Sequence, residues 1–267
     1  MIKKTKIIGI LNITKDSFSD GSLYLAKDNA IKHVRLMIQK GCDIIDIGAE
    51  STRPGFDNIS PNTQLDRILP IINTIREINQ NIKISVDTRS SIVAEQVLLA
   101  GASIINDVSS GTYDSKIFDI VSKYKSEIIL THMPYEHLVG DHMKTENILQ
   151  TIEQYFNKII KIAEDANIDR KKIIIDPGIG FGKSGKDNIL VIKNINYFIN
   201  TFDRVCLGVS NKRFSSKLFN DIKDEELSIA SLAISSIMAY SGIEFLRVHD
   251  VETNKDAVEV AWKTANS

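Results

Sequence analysis

Arg247, Val248 and His249 stand near the end of the chain in an apolar run. Side chains alternate between the two faces of a β-strand, so Arg247 and His249 point the same way. A guanidinium beside an imidazole makes an anion site, and barrels often bind phosphate near strands 7 and 8. Asn12 ends another apolar run, and in a closed barrel it would lie next to that site. It would add a neutral oxygen for a cation carried by the anion, because Mg²⁺ takes few protein oxygens and fills its shell with phosphate and water. The structural alternative is an Arg247–Asp250 ion pair with His249 in the core. A second group comprises Asp87, Asn106 and Asp176, each placed where an apolar run ends. Two carboxylates and an amide suit a flat heterocycle with an amino-pyrimidinone edge, whose adjacent N–H donors a carboxylate accepts in pairs. Lys212 would donate to the ring carbonyl. The competing use is an acid pair for glycoside hydrolysis; an aromatic content of 7% leaves little for sugar stacking.

The stretch 172–183 couples an apolar, β-branched run to Asp176, then to a proline and three glycines. A strand ending in an acid and a backbone-exposing loop is where α/β proteins place ligands. The loop misses the phosphate-loop pattern, because Pro177 stands where a glycine is needed, and misses the dinucleotide fingerprint at Lys183. A turn with Asp176 as a helix cap is the bland reading. His132, His137 and His142 are spaced by five, which fits no compact zinc motif. His132 ends a strand, and the other two are expected in a polar loop.

These residues need a frame. Strand-like runs fall at 6–12, 43–48, 83–88, 103–108, 127–132, 172–176, 204–209 and 245–249. Helix-like patterns fall between them at 28–40, 62–79, 91–100, 114–124, 146–166, 187–200, 225–240 and 253–264. Eight βα units without a composition break predict one α/β domain over 1–267, a single (β/α)8 TIM barrel with flexible loops at its C-terminal face. A doubly wound open sheet is the alternative. In a barrel the chemistry gathers at the strand C-terminal ends, where Asn12, Asp46, Glu50, Asp87, Asn106, Asp107, His132, Asp176, Ser210, Lys212, Arg247, His249 and Asp250 all fall. Lys6, Lys83 and Lys172 mark the strand starts and read as solvated. The polar loops 14–21 and 50–57 are candidate lids.

At 267 residues, with 43% hydrophobic and 25% charged content, the chain can bury a full core. A net charge of -1 carries no nucleic-acid footprint and no basic membrane patch. Cys42 and Cys206 lie in apolar runs and read as buried thiols rather than a disulfide framework. No run reaches membrane length and no signal peptide is evident, so a cytoplasmic location is expected.

Taken together, the motifs resemble the dihydropteroate synthase family nearly end to end. They are Gly9 through Thr14, Asp16 through Gly21, Asp46-Ile47-Gly48, Glu50 through Gly55, Ser85 through Thr88, Ile105-Asn106-Asp107 and His132-Met133. Asp176 through Lys183, Ser210 with Lys212, and Arg247 through Val251 complete the set. The resemblance implies joining of 4-aminobenzoate to 6-hydroxymethyl-7,8-dihydropterin diphosphate, with release of diphosphate. It implies that Asp87, Asn106, Asp176 and Lys212 hold the pterin, with Met133 and Phe181 lining its pocket. Asn12, Arg247 and His249 would bind diphosphate with Mg²⁺. Phe18, Thr52, Arg53 and Pro54 would lie nearest the aminobenzoate, with Arg213 at the position towards its carboxylate and Ser210 a further substrate-binding residue. A homodimer through the late helices and sulfonamide targeting are also implied.

The chain departs from the family pattern in four places. Ser210-Asn211-Lys212-Arg213 stands where Ser-Arg-Lys-Ser is usual, Lys15 replaces a proline, Ala49 replaces a glycine, and Pro134-Tyr135-Glu136 replaces a small polar turn. Two other readings stay open: a silent relative that binds pterin, and a corrinoid-linked pterin methyltransferase on the same barrel.

Overall fold

The computed structural model describes residues 2–13, 23–50, 59–210 and 224–267. Eight parallel strands form one sheet in the order β6-β5-β4-β3-β2-β1-β8-β7. They are β1 (Lys6–Asn12), β2 (Ile44–Gly48), β3 (Lys83–Asp87), β4 (Ile104–Asp107), β5 (Glu127–Thr131), β6 (Ile173–Asp176), β7 (Cys206–Gly208) and β8 (Phe245–Val248). The two ends of that order meet through an Ile175–Val205 bridge, and the Ile175 N–H donates to the Arg204 carbonyl at 3.0 Å. The sheet is therefore a closed barrel, which sets aside the open doubly wound alternative.

Alternation along each strand separates two cores. Ile7, Ile45, Ile84, Ile105, Ile128, Ile175, Leu207 and Leu246 face outward into one large cluster shared with the helices. Ile8, Ile44, Ile104, Ile129, Ile174, Cys206 and Phe245 face inward and fill the barrel floor. Burying each such isoleucine contributes about 1.5–3 kcal/mol. Because the period is two, the next inward position on five of these strands is Asp46, Asn106, Thr131, Asp176 and Arg247. A polar layer thus sits directly above an apolar one.

The helices are α1 (Leu23–Gln39), α2 (Pro61–Ile78), α3 (Ser91–Leu99), α4 (Ile117–Lys123), α5 (Tyr135–Leu138), α6 (Ile148–Asp165), α7 (Gly185–Lys193), α8 (Ile195–Thr201), α9 (Asp224–Tyr240) and α10 (Val251–Asn266). Several starts carry side-chain caps: Ser60, Ser90, Asn147, Ser184 and Asp250 accept from the N–H of Thr63, Val93, Gln150, Asp187 and Thr253. Two expectations are corrected. The helix expected over 187–200 is two helices, broken at Asn194, whose amide donates to the Leu190 carbonyl at 2.8 Å and competes with the helical ladder. The single turn α5, after β5, had no helical signal in the sequence.

Candidate active site

The site forms where the polar layer meets the strand ends. Register aligns Asn12 with Gly48, Gly48 with Asp87, and Asp87 with Asn106, so four neighbouring strands present one row. A β-carbon placed on Gly48 would lie 3.4 Å from the Asp87 β-carbon and 3.5 Å from Asn12 Oδ1. The glycine therefore leaves those two polar side chains as near neighbours. Across the barrel, Asp176 is buried at the end of β6, and its Oδ1 accepts the Gly178 N–H at 2.8 Å. That bond orients the carboxylate and starts the turn into the glycine-rich loop.

Arg247 ties the row together. Its Nε donates to Asp46 Oδ2 at 2.6 Å and its Nη2 to Asp87 Oδ2 at 3.1 Å. The Asn106 amide donates to the same Asp46 oxygen at 3.2 Å. Asp46 is fully buried, and among the described residues its Oδ1 has no hydrogen-bond partner. Two carboxylates thus share one guanidinium inside the barrel. Burial pushes the Asp87 carboxyl above the ordinary aspartate range; Arg247 pulls it back, while Asp46 and Asp107 add to the rise. Burial would lower the Arg247 guanidinium, but Asp46 and Asp87 more than offset it, so its proton is held more tightly than usual.

His249 lies at the rim next to Ser210, whose Oγ contacts His249 Nδ1 at 2.9 Å and accepts the His249 N–H at 3.2 Å. The ends of β7 and β8 are joined there, beside the Arg247 strand. Asp250 caps α10 through Thr253, so it is not the partner of Arg247, and the structural reading of that pair falls. Met133 and Phe181 are half-buried, after β5 and β6 respectively.

Two strand-end residues are not part of the site. Asp107 faces outward and organises a turn, accepting from the Ser109 N–H at 2.8 Å and the Gly111 N–H at 2.6 Å. His132 also faces outward, packed edge-on against Tyr155 at 4.8 Å. Burial, reinforced by the Lys183 charge, drives its pKa far below the usual histidine range. His137 is buried against Phe181 in α5 rather than lying in a polar loop, whereas His142 is exposed. Phe18, Thr52, Arg53, Pro54, Lys212 and Arg213 lie outside the described residues.

Three supports went unassigned in the sequence. Asp46 was legible only as a strand-end acid, and its link to Arg247 spans 201 positions. Glu50 pairs with Arg89 through two bonds of 3.2 Å each, and Arg89 lies over the Tyr113 ring at 4.2 Å. Lys183 is buried, its Nζ donating to the carbonyls of His132, Gly178 and Phe181 at 3.0, 2.8 and 3.2 Å.

A closed (β/α)8 barrel with acids, an amide and a guanidinium crowded at its C-terminal mouth has the architecture of a barrel enzyme, whose active site lies at the strand ends. Residues 8–249 match the family model described as pterin binding enzyme. The dihydropteroate synthase of Streptococcus pyogenes serotype M6 is 38% identical over 255 residues, covering 95% of this chain and 93% of that one. The solved dihydropteroate synthase of Clostridium difficile, in the presence of pteroic acid, superposes with a TM-score of 0.91 at 32% identity, covering 98% of this chain and 97% of that one. The Xanthomonas albilineans enzyme, solved with 4-aminobenzoic acid, gives 0.90 at 32% identity, covering 99% of this chain and 94% of that one. The chain belongs to the pterin-binding enzymes and, within them, to the dihydropteroate synthase family of transferases.

Proposed function

We propose that this chain condenses 4-aminobenzoate with 6-hydroxymethyl-7,8-dihydropterin diphosphate, forming 7,8-dihydropteroate and diphosphate, by a dissociative displacement at the pterin methylene. The observation that carries this reading is the Asp46–Arg247–Asp87 arrangement, with Asp46 fully buried and the other two half-buried, beside Asn106. It places carboxylates and a guanidinium at adjoining positions of one mouth. Asp176 and Asn106 would read the amino-pyrimidinone edge, with Lys212 on the ring carbonyl and Met133 and Phe181 against its faces. Arg247 and His249 would take the diphosphate. As the C–O bond to diphosphate lengthens, negative charge grows on the leaving group and positive charge on the pterin methylene. A preorganised guanidinium stabilises the first and Asp87 the second. The aromatic amine attacks as a neutral nucleophile and then loses a proton, so the chain needs no nucleophilic Ser or Cys.

Asn12 would hold Mg²⁺, which supplies charge neutralisation of the bound diphosphate. A single exposed amide oxygen beside Asp87 suits an ion held mainly by phosphate and water. Phe18, Thr52, Arg53, Pro54, Ser210 and Arg213 are assigned to the aminobenzoate side.

We also assign a homodimer through the late helices, supported by apolar side chains left exposed there, among them Ile229 (68%) on α9 and Val260 (66%) on α10. Light scattering that returns a monomer overturns that assignment. Cys42 and Cys206 are buried thiols outside any disulfide, which suits the reducing cytoplasm. No helix among the described residues is long and apolar enough to cross a membrane.

The deciding assay supplies purified protein with the pterin diphosphate, 4-aminobenzoate and Mg²⁺. Stoichiometric diphosphate and dihydropteroate are expected. Release of neither overturns the reading.

A further inference from the structure

The segment following β5 holds Pro134-Tyr135-Glu136, and its residues Tyr135–Leu138 fold as the single turn α5. His137 is buried in that turn. Its Nδ1 accepts the Gly182 N–H at 3.2 Å, and its ring meets Phe181 edge-on with centroids 4.9 Å apart and planes at 82°. The Gly182 carbonyl in turn accepts the Met143 N–H at 2.9 Å. Gly182 takes a φ of +54°, and a β-carbon there would come within 2.7 Å of Pro134 Cγ and 3.1 Å of the His137 nitrogen. Only glycine allows both that backbone and that approach. From its other side, Lys183 Nζ crosses to the His132 carbonyl at 3.0 Å. The loop carrying Phe181 is thus laced by three hydrogen bonds to the segment after β5.

We infer that His137 is a positioning residue for the pterin, setting Phe181 and the 178–183 loop against α5 so that the ring stands next to Asp176. The inference rests on the reading above, in which Asp176 and Phe181 take the pterin, and it adds a residue that touches no substrate. The physical argument is local. Accepting an N–H at Nδ1 requires that nitrogen to carry no proton, so the imidazole is the acceptor for a buried backbone donor. Without an acceptor the Gly182 N–H is left buried and unpaired, and the loop must move to satisfy it. Loop movement turns Phe181, because its ring is packed on the same imidazole.

Three substitutions separate the acceptor from the bulk. His137→Leu keeps an apolar side chain and removes the acceptor. His137→Asn places Oδ1 the same number of bonds from the backbone as Nδ1. His137→Gln carries its acceptor one bond farther out. Steady-state kinetics on the full chain, with calorimetry of pterin diphosphate binding in Mg²⁺, read the outcome. His137→Leu is expected to raise both KM and Kd for the pterin diphosphate by about tenfold. Its kcat and its KM for 4-aminobenzoate at saturating pterin should stay within about twofold. His137→Asn should recover most of the affinity and His137→Gln less. A leucine variant with wild-type affinity overturns the inference, as does equal impairment of the leucine and asparagine variants, or a loss of kcat at constant KM. If the leucine variant does not fold by circular dichroism, the asparagine–glutamine order decides, and reversal or equality overturns the inference. Wild-type protein that binds no pterin diphosphate overturns the proposed function and this inference together. Wild-type binding with an indifferent leucine variant overturns this inference alone.

Discussion

The two mouths of the barrel use the same charged side chains to opposite ends. At the strand starts, Lys83 pairs with Glu127 at 2.8 Å, Glu127 with Arg204 at 3.4 Å, Arg204 with Glu244 at 2.9 Å and Glu244 with Lys6 at 3.6 Å. Lys6 and Lys83, two of the three lysines expected to be solvated, remain about half exposed yet are links in a chain of pairs in which each acid is flanked by two cations, while Lys172 donates to the Lys125 carbonyl. Arg204 also lies over the Phe245 ring of the barrel floor, 5.0 Å from its centroid. At the strand ends the ratio is reversed, with Asp46 and Asp87 sharing Arg247. The consequence shows in two carboxyl groups. Burial pushes the Glu127 carboxyl up, but Lys83 and Arg204 outweigh it and hold the group below its ordinary range. Burial also pushes the Asp87 carboxyl up, and there one shared guanidinium leaves it raised. One mouth gives each acid two cations; the other leaves two acids to one cation, so part of their charge is uncompensated.

Removing the shared cation should have the largest effect. Arg247→Ala is expected to lower kcat by about 100-fold or more, since it deletes a preorganised stabiliser of leaving-group charge. It should change free-pterin affinity far less, and equal loss of both would make Arg247 a scaffold residue. Asp176→Asn should weaken pterin binding by about 2–3 kcal/mol, because a charge-assisted pair is left half made. Calorimetry showing unchanged affinity would remove Asp176 from the ring site.

The remaining tests use pH to separate the mouths. The folded chain binds the Asp87 proton more tightly than the unfolded chain does. Stability is therefore lost as pH rises from the unfolded carboxylate range through the raised folded value. Asp87→Asn should then stabilise the ligand-free protein by about 1 kcal/mol at pH 8 and by little at pH 4, at the expense of turnover. A melting temperature equally shifted at both pH values would refute the uncompensated charge. Glu127 carries the opposite sign: its pairing is fully present above the unfolded carboxylate pKa and is lost as pH falls through the depressed folded value. Glu127→Gln should cost up to about 1 kcal/mol at pH 7, nothing in strong acid, and leave kcat unchanged. A kcat that fell with it would mean that the two mouths are coupled.

Much of this architecture is legible in the chain itself. The eight apolar runs and the helices between them follow from short-range periodicity, because a strand or helix face is set by residues two to four positions apart. Asn12, Asp87, Asn106, Asp176, Arg247 and His249 stand out for the same reason, as polar residues at the ends of such runs. Periodicity does not sort His132 and Asp107 from their neighbours, since facing in or out shifts by one residue, and Asp107 is the last residue of β4 while His132 is the first beyond β5. Nor does it show that Arg247 bonds Asp46, 201 positions away, or that His137 accepts from Gly182, 45 positions away. Those contacts exist only because closure of the barrel brings β8 to β1 and its neighbour β2, and because α5 folds back over the loop after β6. Local chemistry wrote the elements and most of the candidate site residues. The sharing of one guanidinium between two acids, and with it the charge left uncompensated, belongs to the closed ring alone.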